Sequence, residues 1–192
     1  MLDEVRERAD VAGVTVELHA VDGRTTGFDA SSFDAVRIER VVQHVGDLDG
    51  FLAEAHRIVK PGGRVVIADT DWGSLMIHPG EPDFVKRLKS VIESGPWAEP
   101  WAGRKLHAAM QRAGFTDLAS TPFFVNAGPG LTHALEGVQR RLTTAGVVTE
   151  GEMRSYAQNL EAALRDGSGV WAFTMFVASG RRGPQAGGES DR

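Results

Sequence analysis

The stretch that most constrains this chain runs from Phe33 to Trp72 and reads as strand, helix, turn, strand. Phe33, Ala35, Val36 and Ile38 form a short, mostly apolar run. Gly63-Arg64-Val65-Val66-Ile67-Ala68 forms a second, of the kind expected in a parallel sheet covered on both faces. Between them Leu48, Phe51, Leu52, Ala55, Ile58 and Val59 recur at helical spacing. Asp47 is placed to cap that helix, Arg57 and Lys60 sit in its last turn, and Pro61-Gly62-Gly63 ends it. Two parallel strands joined by a helix are one βαβ unit, which commits the chain to the α/β class.

The flanks extend the pattern. Leu2, Val5, Ala9 and Ala12 line one face of an opening helix that Gly13 should end. Val14, Val16, Leu18 and Ala20 alternate with polar residues, which predicts a strand over Val14–Ala20 before the Asp22-Gly23 turn. Further on, helices are expected from about Glu81 to Ser94 and from Lys105 to Ala113, with a strand from Phe115 to about Asn126. Two more helices are expected over Thr132–Ala145 and Thr149–Arg165, the second opened by a Thr149/Glu152 capping box, then a last strand over Val170–Ser179. Ala127-Gly128-Pro129-Gly130 reads as a linker, because proline interrupts it and no acidic residue follows at the spacing of a dinucleotide-binding loop. From Gly180 the tail has no apolar group to bury and is expected to be disordered over 181–192.

The order Asp22-Gly23, Phe28–Val36, Gln43-His44-Val45 and Arg57–Gly63 resembles the middle of the class I S-adenosylmethionine-dependent methyltransferases, in particular the small-molecule group that includes the ubiquinone/menaquinone-biosynthesis type. The resemblance implies a Rossmann-like three-layer sandwich with strand order 3-2-1-4-5-7-6. It covers residues 1–180, but only the later two-thirds of the usual domain. The first strands, the glycine-rich loop after the first of them, and the acidic residue that takes the ribose hydroxyls have no counterpart in these 192 residues. Because glycines let a backbone approach a ligand closely, S-adenosylmethionine should bind this chain weakly or not at all. Phe33–Ile38 and Val14–Ala20 would both lack their usual neighbours. They should therefore pair with each other, or exchange strands in a homodimer.

The candidate site residues follow from placement and resemblance together. In the family Asp22, with Gly23, faces the cofactor's adenine; Asp-Gly is equally a common turn dipeptide. Resemblance puts Glu39 and Arg40 beside the methionine half. Glu39, Arg40, Gln43 and His44 lie at the carboxyl end of a strand, where ligands of open α/β sheets collect. His44 is the candidate base, or a packing residue at a helix start. Asp69 and Asp71 end the second apolar strand, and Asp71 and Trp72 are read as lining a substrate site rather than holding a metal. Trp97 and Trp101 flank Pro100 and either pack a loop or wall a pocket. Segments 71–103 and 131–166 are expected to form a cover over this edge.

Composition limits the partners. Net charge is −5, with no basic cluster long enough to track phosphates, so nucleic acid is an unfavourable partner and a small molecule a better one. Without cysteine there is no thiolate catalysis and no sulfur-ligated zinc. No apolar run reaches membrane-spanning length and no signal peptide opens the chain, so the expected location is the cytoplasm. The reading is thus a small-molecule methyltransferase, inactive in this form if the cofactor is not held. The alternative is a non-catalytic binding or interaction module derived from one.

Overall fold

Twenty residues of unbroken strand, Val59–His78 (β2), run through the middle of a four-stranded sheet in this computed structural model. The structure describes residues 2–94, 98–128 and 139–184. β2 pairs in parallel with Phe33–Glu39 (β1), in register from Ala35 opposite Arg64 to Glu39 opposite Ala68. On its other side it runs antiparallel to Val170–Arg182 (β4), which in turn pairs antiparallel with Phe115–Asn126 (β3). The order is therefore β1-β2-β4-β3.

The helices are Leu2–Ala12 (α1), Leu48–Ile58 (α2), Pro82–Glu93 (α3), Ala102–Arg112 (α4) and Glu150–Asp166 (α5), with residues 139–144 also helical. The Asp47 carboxylate accepts the Gly50 N–H at 2.9 Å and caps α2 as expected. Thr149 and Glu152 form the expected capping box on α5. The turn after α2 is tight enough that a Cβ on Gly63 would stand 2.7 Å from the Asp34 carbonyl oxygen, so glycine lets β2 start flush against β1.

Two apolar clusters result. Phe51, Leu52, Ala55 of α2 and Leu106, Ala109, Met110 of α4 cover one face of the sheet over Ile38, Val65 and Ile67. A second cluster joins Leu75, Phe84, Leu88, Tyr156, Leu160 and Trp171, so α3 and α5 pack around the far extension of β2 and the start of β4. There β2 continues past an irregularity between Asp71 and Met76 to pair Met76–His78 with Val170–Ala172. The sequence reading ended this strand at Trp72 and gave the next residues to a loop. The extension forms because β4 supplies a ladder partner that local sequence cannot reveal.

Four other expectations change. Val14–Ala20 is not a strand: Val14 is 55% exposed, and no strand pairs with the segment among the described residues. Alternation offers an apolar face but cannot supply a backbone partner. The segment is held instead by the ring contacts His19–Phe28 and Phe28–Phe33, with centroids 5.1 and 5.0 Å apart. Pairing of Val14–Ala20 with Phe33–Ile38 is accordingly absent, and β1 has no outer neighbour among the described residues. The second helical layer of a three-layer sandwich is not seen there either, since Ala35 and Arg37 on the other face are exposed. At the other end, Arg181 and Arg182 belong to β4 rather than to a disordered tail. The Arg182 guanidinium donates to the Arg57 and Val59 carbonyls at 2.9 and 2.7 Å, satisfying groups at the end of α2. Residues 185–192 lie outside the described residues, as does half of the expected helix over Thr132–Ala145. Among the described residues, no helix is long and apolar enough to cross a membrane.

Glu54 ties the segment before β1 to α2. Its carboxylate accepts the Thr26 N–H at 2.9 Å and the Arg57 guanidinium at 2.7 Å, and Arg57 also donates to the Phe28 carbonyl at 2.7 Å. Arg57 first, then the Thr26 bonds, hold its carboxyl down at about 2 against the ordinary 4.5. A carboxyl depressed by folding stabilises the folded state above the unfolded value and loses that contribution as pH falls toward the folded value. Glu54→Gln should therefore flatten the acid limb of the stability curve between pH 4.5 and about 2, measured by urea unfolding across that range.

Candidate functional site

The carboxyl end of β1 and the adjoining middle of β2 bring together five of the sequence-predicted residues. Glu39 ends β1 and is ion-paired with Arg37. Arg40 follows in the left-handed region at φ 54°, with its N–H bonded to the Ala68 carbonyl at 2.8 Å. An arginine held there costs backbone energy that the surrounding bonds must offset, a pattern concentrated at ligand sites. The chain then makes one 3₁₀ turn, Val42–His44, which carries His44. Asp71 and Trp72 stand on the neighbouring strand.

The hydrogen bonds at this edge centre on Gln43 and Asp69. Gln43 is 2% exposed; its amide oxygen accepts the Trp72 indole N–H at 2.7 Å and its amide nitrogen donates to the Arg40 carbonyl at 3.3 Å. The Asp69 carboxylate is fully buried and accepts the Thr70 and Gln43 N–H groups at 2.8 and 3.2 Å. Burial pushes the Asp69 carboxyl up, while these N–H groups, that of Val42, and the nearness of His44 act in the opposite sense. The sequence placed Gln43 and Asp69 at the ligand edge but gave neither a role of its own. The available signal was a polar residue at the carboxyl end of each of two adjacent parallel strands.

Asp71 is not an open carboxylate. Its side chain is 4% exposed, and one oxygen takes the Arg104 guanidinium at 2.6 Å while the other takes the Gly73 N–H at 3.1 Å. Trp101 is 38% exposed and covers Gly73 so closely that a Cβ there would come within 2.6 Å of the indole. Lys105 lies over the Trp101 ring at 5.5 Å and bonds Glu99 at 2.7 Å. Trp97 falls outside the described residues.

Asp22 and Gly23 sit beside the start of α2, on the same side of the sheet. A Cβ on Gly23 would overlap the Phe51 ring, so glycine is required there by packing. Asp22 accepts both the Arg24 N–H at 2.9 Å and its guanidinium at 2.6 Å, and Arg24 holds its carboxyl at about 2. Both carboxylates assigned to the cofactor, Asp22 and Glu39, thus already carry an arginine. Among the described residues no cluster of three or more metal-ligating side chains occurs.

The larger cavities lie elsewhere. One of about 810 Å³ opens between residues 139–143 and α5, lined by Arg140, Arg154, Glu161 and Arg165. Another of about 610 Å³ lies between the end of β2, α3 and α5, beside His78 and Tyr156.

Comparison with known proteins then decides the family. Residues 1–67 match the family described as the methyltransferase domain. These residues are part of a class I S-adenosylmethionine-dependent methyltransferase domain. The chain is 42% identical over 116 residues to an uncharacterized 37.1 kDa protein of a Streptomyces fradiae transposon, covering 60% of this chain and 33% of that protein. To the ubiquinone/menaquinone biosynthesis C-methyltransferase of Desulfotalea psychrophila it is 36% identical over 70 residues, covering 36% of this chain and 28% of that one. The chain thus spans about a third of the length of these relatives. A solved structure of a candidate methyltransferase from Bacillus halodurans superposes with a TM-score of 0.52 at 16% identity, over 88% of this chain and 78% of that one. That likeness supports a methyltransferase-like α/β fold. Its sheet here is mixed, with β1 and β2 parallel and β4 antiparallel to both of its neighbours.

Removing Arg104 should expose how far the edge depends on its ion pair. Arg104→Ala leaves the buried Asp71 carboxylate without its charged partner, and should cost about 1–3 kcal/mol in urea unfolding. It should also change the fluorescence of Trp101, which Arg104 adjoins through Gly73.

Proposed function

We propose that this chain forms the acceptor side of an S-adenosylmethionine-dependent methyltransferase acting on a small molecule, and that it does not hold the cofactor tightly by itself. The observation that carries the reading is the coincidence of the family match with a carboxyl edge where Glu39, Arg40, His44, Asp71 and Trp72 converge. In this reading Arg40 and Glu39 face the cofactor's methionine half, and Asp22 with Gly23 the adenine. His44 is the group that takes a proton from the methyl acceptor. Trp72 and Trp101 wall the acceptor, and Arg104 holds Asp71 beside them. Segments 71–103 and 131–166 act as the cover, through the cluster that joins α3 to α5. The setting is cytoplasmic.

The cofactor fits the residues present only in part. The two carboxylates that would accept from it are committed to Arg24 and Arg37. Among the described residues no glycine-rich loop lies at the edge. Two or three missing hydrogen bonds at about 1.5–3 kcal/mol each turn a micromolar site into one of about millimolar strength or weaker. The same commitment of Asp22 and Glu39 favours the second reading, a non-catalytic module that keeps the small-molecule edge without the cofactor. The outer side of β1 presents outward N–H and C=O groups without a partner among the described residues, which motivates a homodimer with strand exchange there.

Calorimetric titration of S-adenosylhomocysteine into the chain should give a dissociation constant in the millimolar range or weaker. A low-micromolar constant on a sample that light scattering shows to be a monomer would overturn both the weak-binding argument and the strand exchange.

A further inference from the structure

The carboxyl edge contains a fully buried carboxylate that no role above uses. Asp69 lies midway along β2, one residue past the last pair of the ladder with β1, 0% exposed, with Phe176 of β4 as its ladder partner. A buried carboxylate is costly unless its oxygens are satisfied, and here backbone N–H groups from two different elements satisfy them. Thr70 donates from β2 itself at 2.8 Å and Gln43 from the 3₁₀ turn at 3.2 Å, and the Val42 N–H of the same turn also favours the charged form.

Gln43 carries that connection outward. Its N–H goes to Asp69, its carbonyl accepts the Glu99 N–H at 3.1 Å, its amide oxygen accepts from Trp72, and its amide nitrogen donates to the Arg40 carbonyl. Main chain and side chain each make two bonds on one residue that is 2% exposed. The tip of β1, the middle of β2 and the 98–101 segment therefore meet at this one residue.

We propose that Asp69 and Gln43 are positioning residues, which fix Arg40 and His44 relative to Trp72 and act on a ligand only through those three. The inference rests on reading the carboxyl edge as the ligand site. A packing role alone would need only apolar contact with the main cluster. The carboxylate instead spends its bonding capacity on the turn that carries His44, and Gln43 spends its own on Arg40 and Trp72. Removing either group should loosen the edge while leaving the sheet intact, because the Val65, Ile67 and Ala178 core does not depend on these bonds.

Backbone amide exchange followed by NMR on the full chain tests this without any ligand, so its outcome is separate from that of the calorimetry. Asp69→Asn turns one acceptor oxygen into a donor facing an N–H. Exchange at Val42 and Gln43 should accelerate about tenfold or more, as for loss of one charge-assisted hydrogen bond, with Val65, Ile67 and Ala178 changed less than about twofold. Gln43→Ala keeps the backbone bond to Asp69 and removes the side-chain ones. It should shift the Trp72 indole N–H resonance and speed its exchange, again with the core unchanged. Unaltered exchange at Val42 and Gln43 in Asp69→Asn, or a uniform acceleration across the sheet, would overturn the proposal. If Asp69→Asn does not fold, Gln43→Ala decides: an unmoved indole signal overturns the proposal, and a moved one beside an unchanged core supports it.

Discussion

The antiparallel ladder between β2 and β4 is the constraint on which the other features depend. It runs from Arg64 opposite Arg181 to His78 opposite Val170, interrupted only between Asp71 and Met76. Its first half lies over the cluster built by α2 and α4, and its second half carries the cluster built by α3 and α5. One backbone ladder therefore joins both apolar clusters, and its interruption coincides with the residues that form the candidate site. Where β2 leaves the regular ladder, Asp71 turns to Gly73 and Arg104, and Ser74 takes over a bond from the Thr174 N–H at 2.7 Å. A strand that bends away at a sheet's carboxyl edge frees polar groups for a ligand while keeping its backbone satisfied.

What local sequence could show was whatever depends on period and capping. Asp47, Thr149 with Glu152, and the spacing of Phe51, Leu52 and Ala55 specify their helices without help from distant residues, and β3 ran over Phe115–Asn126 as expected. What needed a distant partner was not legible. Val14–Ala20 has the alternation of a strand and no strand beside it; Met76–His78 has no obvious strand pattern and gains one from Val170–Ala172. Arg181 and Arg182 look like a polar tail until the end of α2 is placed beside them. The candidate site divides in the same way. Its location at the carboxyl ends followed from the βαβ unit. The pairing of Asp22 with Arg24, of Glu39 with Arg37 and of Asp71 with Arg104 had to be seen in three dimensions.

Two places compete as the functional centre of this chain. The carboxyl edge has converging polar groups, a left-handed arginine and a buried carboxylate; the groove along α5 has greater volume, about 810 Å³, and three arginines. Volume alone is a poor guide, since a groove between helices can be wide without any fixed polar geometry. At the edge, bonds from Asp69 and Gln43 hold the turn and Trp72 in place.

The most direct test of that assignment is to map amide shift changes in the ¹⁵N-labelled chain at millimolar S-adenosylhomocysteine. Perturbations confined to Asp22 and Gly23, residues 39–44 and residues 69–72 are the predicted result. Perturbations centred on Arg140, Arg154 and Arg165, with the carboxyl edge unmoved, would contradict it.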